Sequence, residues 1–418
     1  MIFPERLKAL HDRAPQRVAV TLQFPGASGA TDDLPITLDQ LLRGSQSFAQ
    51  TYAHEGIRPG EVVVLILQHG ENLLYAFWGA ILYGAIPSIM PFLTEKLSPE
   101  RYRADLAALM SVTKPAAIVT YPEFEDEIKS AISEGDSVRS VIVADQADVQ
   151  TELDIESLEG FKRSADDIVL LQHSSGTTGL QKGVALSHQS VFNQLDAYGK
   201  SLSLNEDDVI VSWLPLYHDM GLIAGFIMPV LSGVSLVLMS PFDWVRAPFK
   251  LMQSVTKYRG TLTWLPNFAY NFCAQKIRDR HLEGVDLSSL RAVINCSEPV
   301  RWESHQAFYE RFKSYGLKMD MLQTSYAMAE NVFGVTQSPL GNEPVVDEVD
   351  RDAFMNEHIA RSPLDGRPSM KMMSSGRPLE NVEIKIVDEN NNVVEERVVG
   401  EVVLRSNCML TGYYNRDD

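Results

Sequence analysis

Between Leu170 and Gly183 the chain reads Leu-Leu-Gln-His-Ser-Ser-Gly-Thr-Thr-Gly-Leu-Gln-Lys-Gly, an apolar run that passes into hydroxyls and glycines and ends at a lysine. Ser174, Ser175, Thr177 and Thr178 supply hydroxyl donors, and Lys182 supplies a full positive charge. Gly176 and Gly179 let the backbone turn sharply so that successive N–H groups converge on an anion. Together these groups suit an oligophosphate. The stretch is not the G-x-x-x-x-G-K-[ST] phosphate loop, because Gln181 stands where its second glycine belongs and Gly183 where its hydroxyl belongs. A plain polar turn joining two strands is the other reading of such a cluster.

Four more constellations follow it. Trp213-Leu-Pro-Leu-Tyr-His-Asp-Met-Gly221 sets His218 beside Asp219 in a loop after an apolar strand, which makes a base, a metal ligand or a satisfied polar pair. Met321-Leu-Gln-Thr-Ser-Tyr-Ala-Met-Ala-Glu330 puts an aromatic just past a strand and a carboxylate four residues on. Tyr326 can lie on a nucleobase, Thr324 can donate to a phosphate and Glu330 can hold Mg²⁺ through oxygen, unless the stretch merely enters a helix. Ile294-Asn-Cys-Ser-Glu-Pro-Val-Arg301 is a turn between strand and helix, and Leu265-Pro-Asn-Phe-Ala-Tyr270 is either a pocket wall or aromatic core.

The order Ser-Ser-Gly-Thr-Thr-Gly-x-x-Lys-Gly, ahead of Val184-Ala-Leu-Ser-His188, resembles the phosphate loop of the AMP-forming adenylating enzymes, which include acyl-CoA synthetases, luciferases and peptide-synthetase adenylation domains. Gln181 replaces a usual proline and Ser174 a commoner threonine. The resemblance implies ATP and Mg²⁺ as cofactors and a carboxylate converted to acyl-adenylate with release of pyrophosphate. It assigns Ser174 to Gly179 and Lys182 to the phosphates, with Thr178 and Glu330 at the metal. Thr324, Ser325, Tyr326, Ala327 and Met328 match its Tyr-Gly-x-x-Glu element, with Ala327 in place of the glycine. Ser297, Glu298 and Pro299 match the Asn-Gly-Ala-Glu-Pro element on the adenine side, where Cys296 and Ser297 depart from Gly-Ala. His218 and Glu330 carry the catalytic roles by this likeness, and His218, Gly221, Asn267, Phe268 and Tyr270 the acyl substrate.

A fatty acid is the expected substrate, because the apolar stretches Gly221 to Leu231 and Asn267 to Tyr270 offer no acid to pair with an amino acid's ammonium. A pocket of Leu222, Ile223, Phe226, Ile227, Met228 and Phe268 would gain roughly 0.8 kcal/mol per buried methylene. Residues 337–375, with Gly341 to Arg361 at their centre, are longer than a compact domain needs between elements. Val345, Val346, Val349, Phe354, Met355 and Ile359 are expected to dock them on a surface. This segment is similar to the insertion of fatty acyl-AMP ligases, which implies transfer to an acyl carrier protein or a polyketide or peptide synthase partner. An acyl-CoA synthetase and a non-enzymatic nucleotide or acyl-adenylate binding module are the alternatives. By the same likeness residues 1–418 form the large N-terminal domain, its small C-terminal domain is missing, and adenylate formation is expected to be impaired. Its parts are 1–165, an ATP- and acyl-binding region 166–336, the insertion, and a β subdomain 376–418.

The elements that must position these groups alternate strand and helix. Strands are expected at Glu61–Leu67, Ala116–Thr120, Asp208–Trp213, Thr261–Trp264, Arg291–Asn295 and Lys318–Gln323, with helices such as Glu71–Tyr83, Gly221–Leu231, Val245–Tyr258 and Arg301–Tyr315 between them. That rhythm predicts an α/β fold of two mostly parallel, helix-covered sheets, and the alternation from Val382 adds a smaller antiparallel β subdomain. A net charge of −18 without a basic run excludes a nucleic-acid partner. Cys273, Cys296 and Cys408 lack metal-ligand spacing, and with no signal peptide at Met1 a cytoplasmic location is expected. Tyr75–Leu93 and Gly221–Met239 approach the length of a membrane span, but glycine and proline interrupt both, so no span is expected.

Overall fold

Val62–Ile66 reads Val-Val-Val-Leu-Ile and is buried along its whole length, which requires a sheet covered on both faces. The computed structural model describes residues 1–26, 31–92, 99–133, 135–145, 152–173 and 182–416. Chain contacts divide it into two units, one of Met1–Phe192, Trp213–Asp243 and Leu410–Asp418, the other of Asn193–Ser212 and Trp244–Met409.

In the first unit, Ser140–Val143, Ala117–Thr120, Val62–Ile66, Ile86–Ile89 and Ile168–His173 lie side by side and parallel. Gly183–Ser187 and then Gly412–Tyr413 extend that sheet in antiparallel fashion. A second group pairs Val18–Pro25 parallel with Ser235–Met239 and antiparallel with Thr31–Thr37. Thr37 starts the helix Leu38–His54 with a reciprocal cap: its hydroxyl accepts from the Gln40 N–H at 3.2 Å, and the Gln40 side chain accepts from the Thr37 N–H at 2.9 Å. Both apolar stretches fold as helix then strand. The first gives Glu71–Tyr83 and Ile86–Ile89; the second gives a π-helix Met220–Ile227, a helix Met228–Ser232 stopped by Gly233 at φ 69°, and Ser235–Met239. Among the described residues no helix is long and apolar enough to cross a membrane.

In the second unit, Val209–Ser212, Leu262–Leu265, Ala292–Asn295 and Leu322–Ala327 run parallel, and Gly334–Gln337 and Arg377–Pro378 close that edge antiparallel. Two hairpins follow, Val346–Asp350 with Ser369–Met373 and Val382–Val387 with Glu401–Ser406. The fold is thus the expected α/β class, parallel-dominated sheets with smaller antiparallel ones. Three details differ from the sequence expectation. The helix Phe3–Arg13 and the strands Val18–Pro25 and Thr31–Thr37 are not among the expected elements. Pro248 splits Val245–Tyr258 into Pro241–Arg246 and Phe249–Tyr258, since it cannot donate to a helical carbonyl. The strand expected to stop at Gln323 runs on to Ala327, so Tyr326 lies on the strand instead of past it.

The insertion is folded. Its hairpin turns through Ala353–Glu357, with Val349, Asp350 and Ala353 buried and the Asp350 carboxylate accepting the Ala353 N–H at 2.9 Å. It docks on its own unit: the Lys371 ammonium lies 5.8 Å from the Trp302 ring, Asp347 pairs with Arg397 at 3.1 Å, and the Val399 N–H donates to the His358 carbonyl at 2.8 Å. Of the apolar residues expected to dock, Val349 is buried, Val346 and Phe354 are half-buried, and Val345, Met355 and Ile359 stay exposed.

Burial also makes the fold sensitive to acid. His173, His188 and His305 are buried, and burial lowers their pKa values to about 4, about 3 and about 4. An unfolded histidine titrates near 6.5, so below that pH the unfolded chain takes up protons that the folded chain refuses. Stability is therefore full above pH 6.5 and falls as pH drops toward the folded values. Urea unfolding at pH 7 and pH 5 should show a lower midpoint at pH 5, by on the order of 1–2 kcal/mol per buried histidine; equal midpoints would contradict it.

Candidate functional site

The stretch expected to hold an oligophosphate lies in sequence between the antiparallel strands Ile168–His173 and Gly183–Ser187. Ser174, Ser175, Gly176, Thr177, Thr178 and Gly179 lie outside the described residues. Lys182 is described at the foot of the second strand, its ammonium 4.6 Å from the centre of the Tyr413 ring. At the end of the first strand, His173 Nε2 and the Ser88 hydroxyl share a buried 2.6 Å hydrogen bond.

His218 sits in a tight turn of the same unit. Its N–H donates to the Pro215 carbonyl at 3.2 Å, its carbonyl accepts the Leu222 N–H at 2.8 Å, and Asp219 Oδ1 accepts the Met220 N–H at 2.7 Å. Gly221 is required by close approach, because a Cβ there would fall 2.2 Å from the Pro215 carbonyl oxygen. The His218 ring stands 5.0 Å from Tyr217, and loss of solvation around the imidazole pushes its pKa below the ordinary histidine value. It is neutral at pH 7, able to donate one hydrogen bond and accept another.

Of the residues expected to wall an acyl pocket, five lie in the interior of this unit. Leu222, Ile223, Phe226, Ile227 and Met228 are fully buried, and Phe226 packs 5.5 Å from Phe77 and 5.6 Å from Trp78. A mostly apolar pocket of this unit lies at strand ends, lined by Leu67, His69, Met90, Leu214, Met239 and Phe242 among others. It encloses about 460 Å³ of empty space, part of it open to solvent. His69 Nε2 is buried with no hydrogen-bond partner among the described residues. The usable signal was position: Leu67, Met90 and Met239 stand at or just beyond the carboxyl ends of strands, where open α/β sheets gather ligands.

In the second unit three parallel strands end side by side, Leu265 opposite Asn295 and Asn295 opposite Thr324. The segments that follow carry Asn267, Phe268 and Tyr270, then Ser297, Glu298 and Pro299, while Thr324 to Ala327 finish the third strand. Glu298 accepts the Phe268 N–H at 3.0 Å, tying two of these ends together. Asn267 is a buried junction: its carbonyl oxygen accepts from the Arg301 N–H at 3.0 Å and the Asn295 amide at 3.1 Å, and its NH₂ donates to the Ser304 hydroxyl at 3.1 Å. Tyr270 packs as core, stacked 4.8 Å from His305 with its hydroxyl donating to the Val293 carbonyl at 3.0 Å. Phe268, 48% exposed, is the member of that trio that presents a face. Ser297 takes φ +68° where the turn reverses, a left-handed conformation uncommon for any residue but glycine.

The third end divides its polar groups. Thr324 is buried and its hydroxyl donates to the Ser374 carbonyl at 2.7 Å, so the expected donation to a phosphate is not available in this arrangement. The Ser325 hydroxyl likewise donates to the Thr336 carbonyl at 2.7 Å. Tyr326 is 37% exposed and lies opposite Thr336 in the strand pairing, its backbone N–H donating to the Thr336 hydroxyl at 3.1 Å. Ala327 and Met328 then lead into the turn Ala329–Asn331, which presents a half-buried Glu330. The helix-cap alternative is met only by this single 3-10 turn, and no α-helix follows it among the described residues. The chain reverses at Val332, at φ 64° and ψ −56°, with the Phe333 N–H donating to the Asn331 carbonyl at 2.7 Å. This is a strained three-residue turn on a β-branched residue. Asn331 holds it, donating to the Gly334 carbonyl at 2.8 Å and accepting from the Ser406 hydroxyl.

Parallel strands covered by helices, with polar and aromatic side chains gathered in the segments that follow them in the second unit, define an α/β protein of the kind that places its ligands at strand ends. The chain belongs to the AMP-binding enzyme family, whose model matches residues 8–414. It is similar to a long-chain-fatty-acid–AMP ligase of Mycobacterium tuberculosis, 27% identical over 100% of this chain and 71% of that one. It is also similar to a medium-chain-fatty-acid–[acyl-carrier-protein] ligase of Moorena producens, 27% identical over 85% of this chain and 60% of that one. The structure of a fatty acyl-adenylate ligase from L. pneumophila in complex with acyl adenylate and pyrophosphate superposes with a TM-score of 0.84 at 29% identity, covering 100% of this chain and 70% of that one. The chain spans only 46% to 60% of the length of several curated relatives.

The Glu330 turn gives a stability test. Asn331→Ala strips the buried Gly334 carbonyl and the half-buried Ser406 hydroxyl of their partner, and should lower unfolding free energy by about 1–3 kcal/mol. Chemical denaturation of both proteins measures it, and a change within error would show that the turn holds without Asn331.

Proposed function

We propose that the protein activates a fatty acid with ATP, forming acyl-adenylate and pyrophosphate. The observation that carries this reading is the likeness to the L. pneumophila ligase at 29% identity and TM-score 0.84, together with the strand ends that carry Tyr326 and Glu330. A fatty carboxylate oxygen attacks the α-phosphorus of ATP, and the bond to the β-phosphate oxygen breaks to release pyrophosphate. Lys182 and the connection before it bind the phosphates. Tyr326 offers its exposed ring to the adenine, with Ser297, Glu298 and Pro299 shaping the turn beside it. Neutral His218 orients the carboxylate without adding charge.

Glu330 would hold Mg²⁺. Among the described residues no cluster of three His, Cys, Asp or Glu side chains is built to hold a metal by itself, and a single carboxylate suits an ion that takes its other oxygens from phosphates and water. When bound, that ion neutralises phosphate charge, which matters in a protein of net charge −18. Thr178 would share it.

Calorimetric titration of the folded protein with a non-hydrolysable acyl-AMP mimic should show binding, weakened in Tyr326→Ala. Fatty-acid-dependent exchange of pyrophosphate into ATP by the intact protein should fall about 10²- to 10³-fold in Lys182→Ala, the scale of losing one preorganised donor to a developing anion. Absence of binding by the wild-type protein would overturn the reading.

The acceptor proposed for the acyl group is a carrier protein. The M. producens relative is named for such a transfer, and the insertion is a docked hairpin suited to resist rearrangement. The competing acceptor is coenzyme A. In the intact protein, deleting 344–361 should raise acyl-CoA output; acyl-CoA formed by the undeleted protein as fast as acyl-AMP would favour the acyl-CoA synthetase alternative.

A further inference from the structure

We propose that Tyr413 is a positioning residue for Lys182, holding the ammonium against its ring face before any phosphate arrives. This rests on the reading of Lys182 as a phosphate ligand. Three observations place the tyrosine there. The Lys182 ammonium lies 4.6 Å from the Tyr413 ring centre, within the range of a cation–π contact. The contact is built by backbone pairing: Gly412 faces Ala185 and Tyr413 faces Val184 on the strand that Lys182 precedes. That pairing is fastened on both sides, since the Thr411 N–H donates to the Ala185 carbonyl at 2.9 Å and the Tyr414 N–H to the Gly183 carbonyl at 2.8 Å, while the Asn415 amide reaches the Val112 carbonyl at 3.0 Å.

The physical role follows from what a ring face does to an ammonium. A lysine at the end of a strand has four rotatable bonds, and holding one geometry for a ligand costs side-chain entropy on binding. The ring attracts the charge through its quadrupole without occupying a lone-pair acceptor site, so the N–H groups directed away from it stay able to donate to phosphate oxygens. A carboxylate in the same place would neutralise the charge and compete with the ligand. Tyr413 restrains the lysine and leaves its charge usable.

The test reads the contact and its effect separately. Reductive methylation with ¹³C-formaldehyde labels the lysines and keeps their charge, and Lys182→Arg identifies the Lys182 signal by its loss. The ring current should displace that signal upfield of the other lysines in the wild-type and Tyr413→Phe proteins, and the displacement should vanish in Tyr413→Leu, which keeps the strand pairing. The Kd for ATP·Mg²⁺ should rise about two- to five-fold in Tyr413→Leu and return to the wild-type value in Tyr413→Phe. An undisplaced Lys182 signal in the wild-type protein overturns the proposal, and it does so even where Tyr413→Leu fails to fold. An unchanged or lower Kd in folded Tyr413→Leu overturns it too. Failure of the wild-type protein to bind ATP while Lys182 stays displaced would sink the nucleotide reading and, with it, the positioning role; intact wild-type binding with no response to Tyr413→Leu sinks the positioning role alone.

Discussion

Parallel strands enter their sheet at one edge and leave it at the other, so every segment that follows such a strand begins on the same side. The pairing of Leu265 with Asn295 and of Asn295 with Thr324 applies that constraint to the second unit. It sets Phe268, Glu298 and Tyr326 within one row although 58 residues of chain separate the first from the last. A slip of one residue in either pairing would turn Tyr326 to the opposite face of the sheet. The row is a property of the pairing, and the groups on it inherit their mutual placement.

Much of this could be read from the chain. Buried runs such as Val62–Ile66 announce themselves, because a strand covered on both faces is apolar at every position. The loops after them are marked by polar residues that a core would not tolerate. What stayed hidden is instructive. Thr31–Thr37 contains two aspartates and a proline, and its strand geometry comes from pairing with Val18–Pro25 more than from its own composition. Leu322–Ala327 outruns its apolar signal because Ser325 and Tyr326 pair with Gln337 and Thr336, residues that no local pattern connects to them.

Among the site residues, type was more legible than use. A threonine before an aromatic and a glutamate suggests a phosphate donor, yet the Thr324 hydroxyl goes to a carbonyl fifty residues along the chain. The run Leu222 to Met228 suggests a greasy pocket, yet these residues are buried in a π-helix and the start of the short helix after it, with Phe226 packed against Phe77 and Trp78. Apolar residues wall a pocket only where something fails to fill it, and that depends on neighbours distant in sequence. Leu67, Met90 and Met239 are such a case, drawn from three separate strand ends.

Asn267 shows how a binding rim and its supports can trade appearances. Its amide fastens Asn295, the Arg301 backbone and Ser304, so it fixes the start of one segment against the foot of the next. Shortening that side chain would let Phe268 and the Ser297–Pro299 turn drift together, and under the proposed function acyl-adenylate affinity would drop although no ligand atom had lost a neighbour. A scan that scores residues by loss of binding would count Asn267 as part of the recognition surface. Scored instead by whether an isosteric amide-to-acid change spares the fold while shifting both neighbouring turns, it would be sorted with the masonry behind that surface.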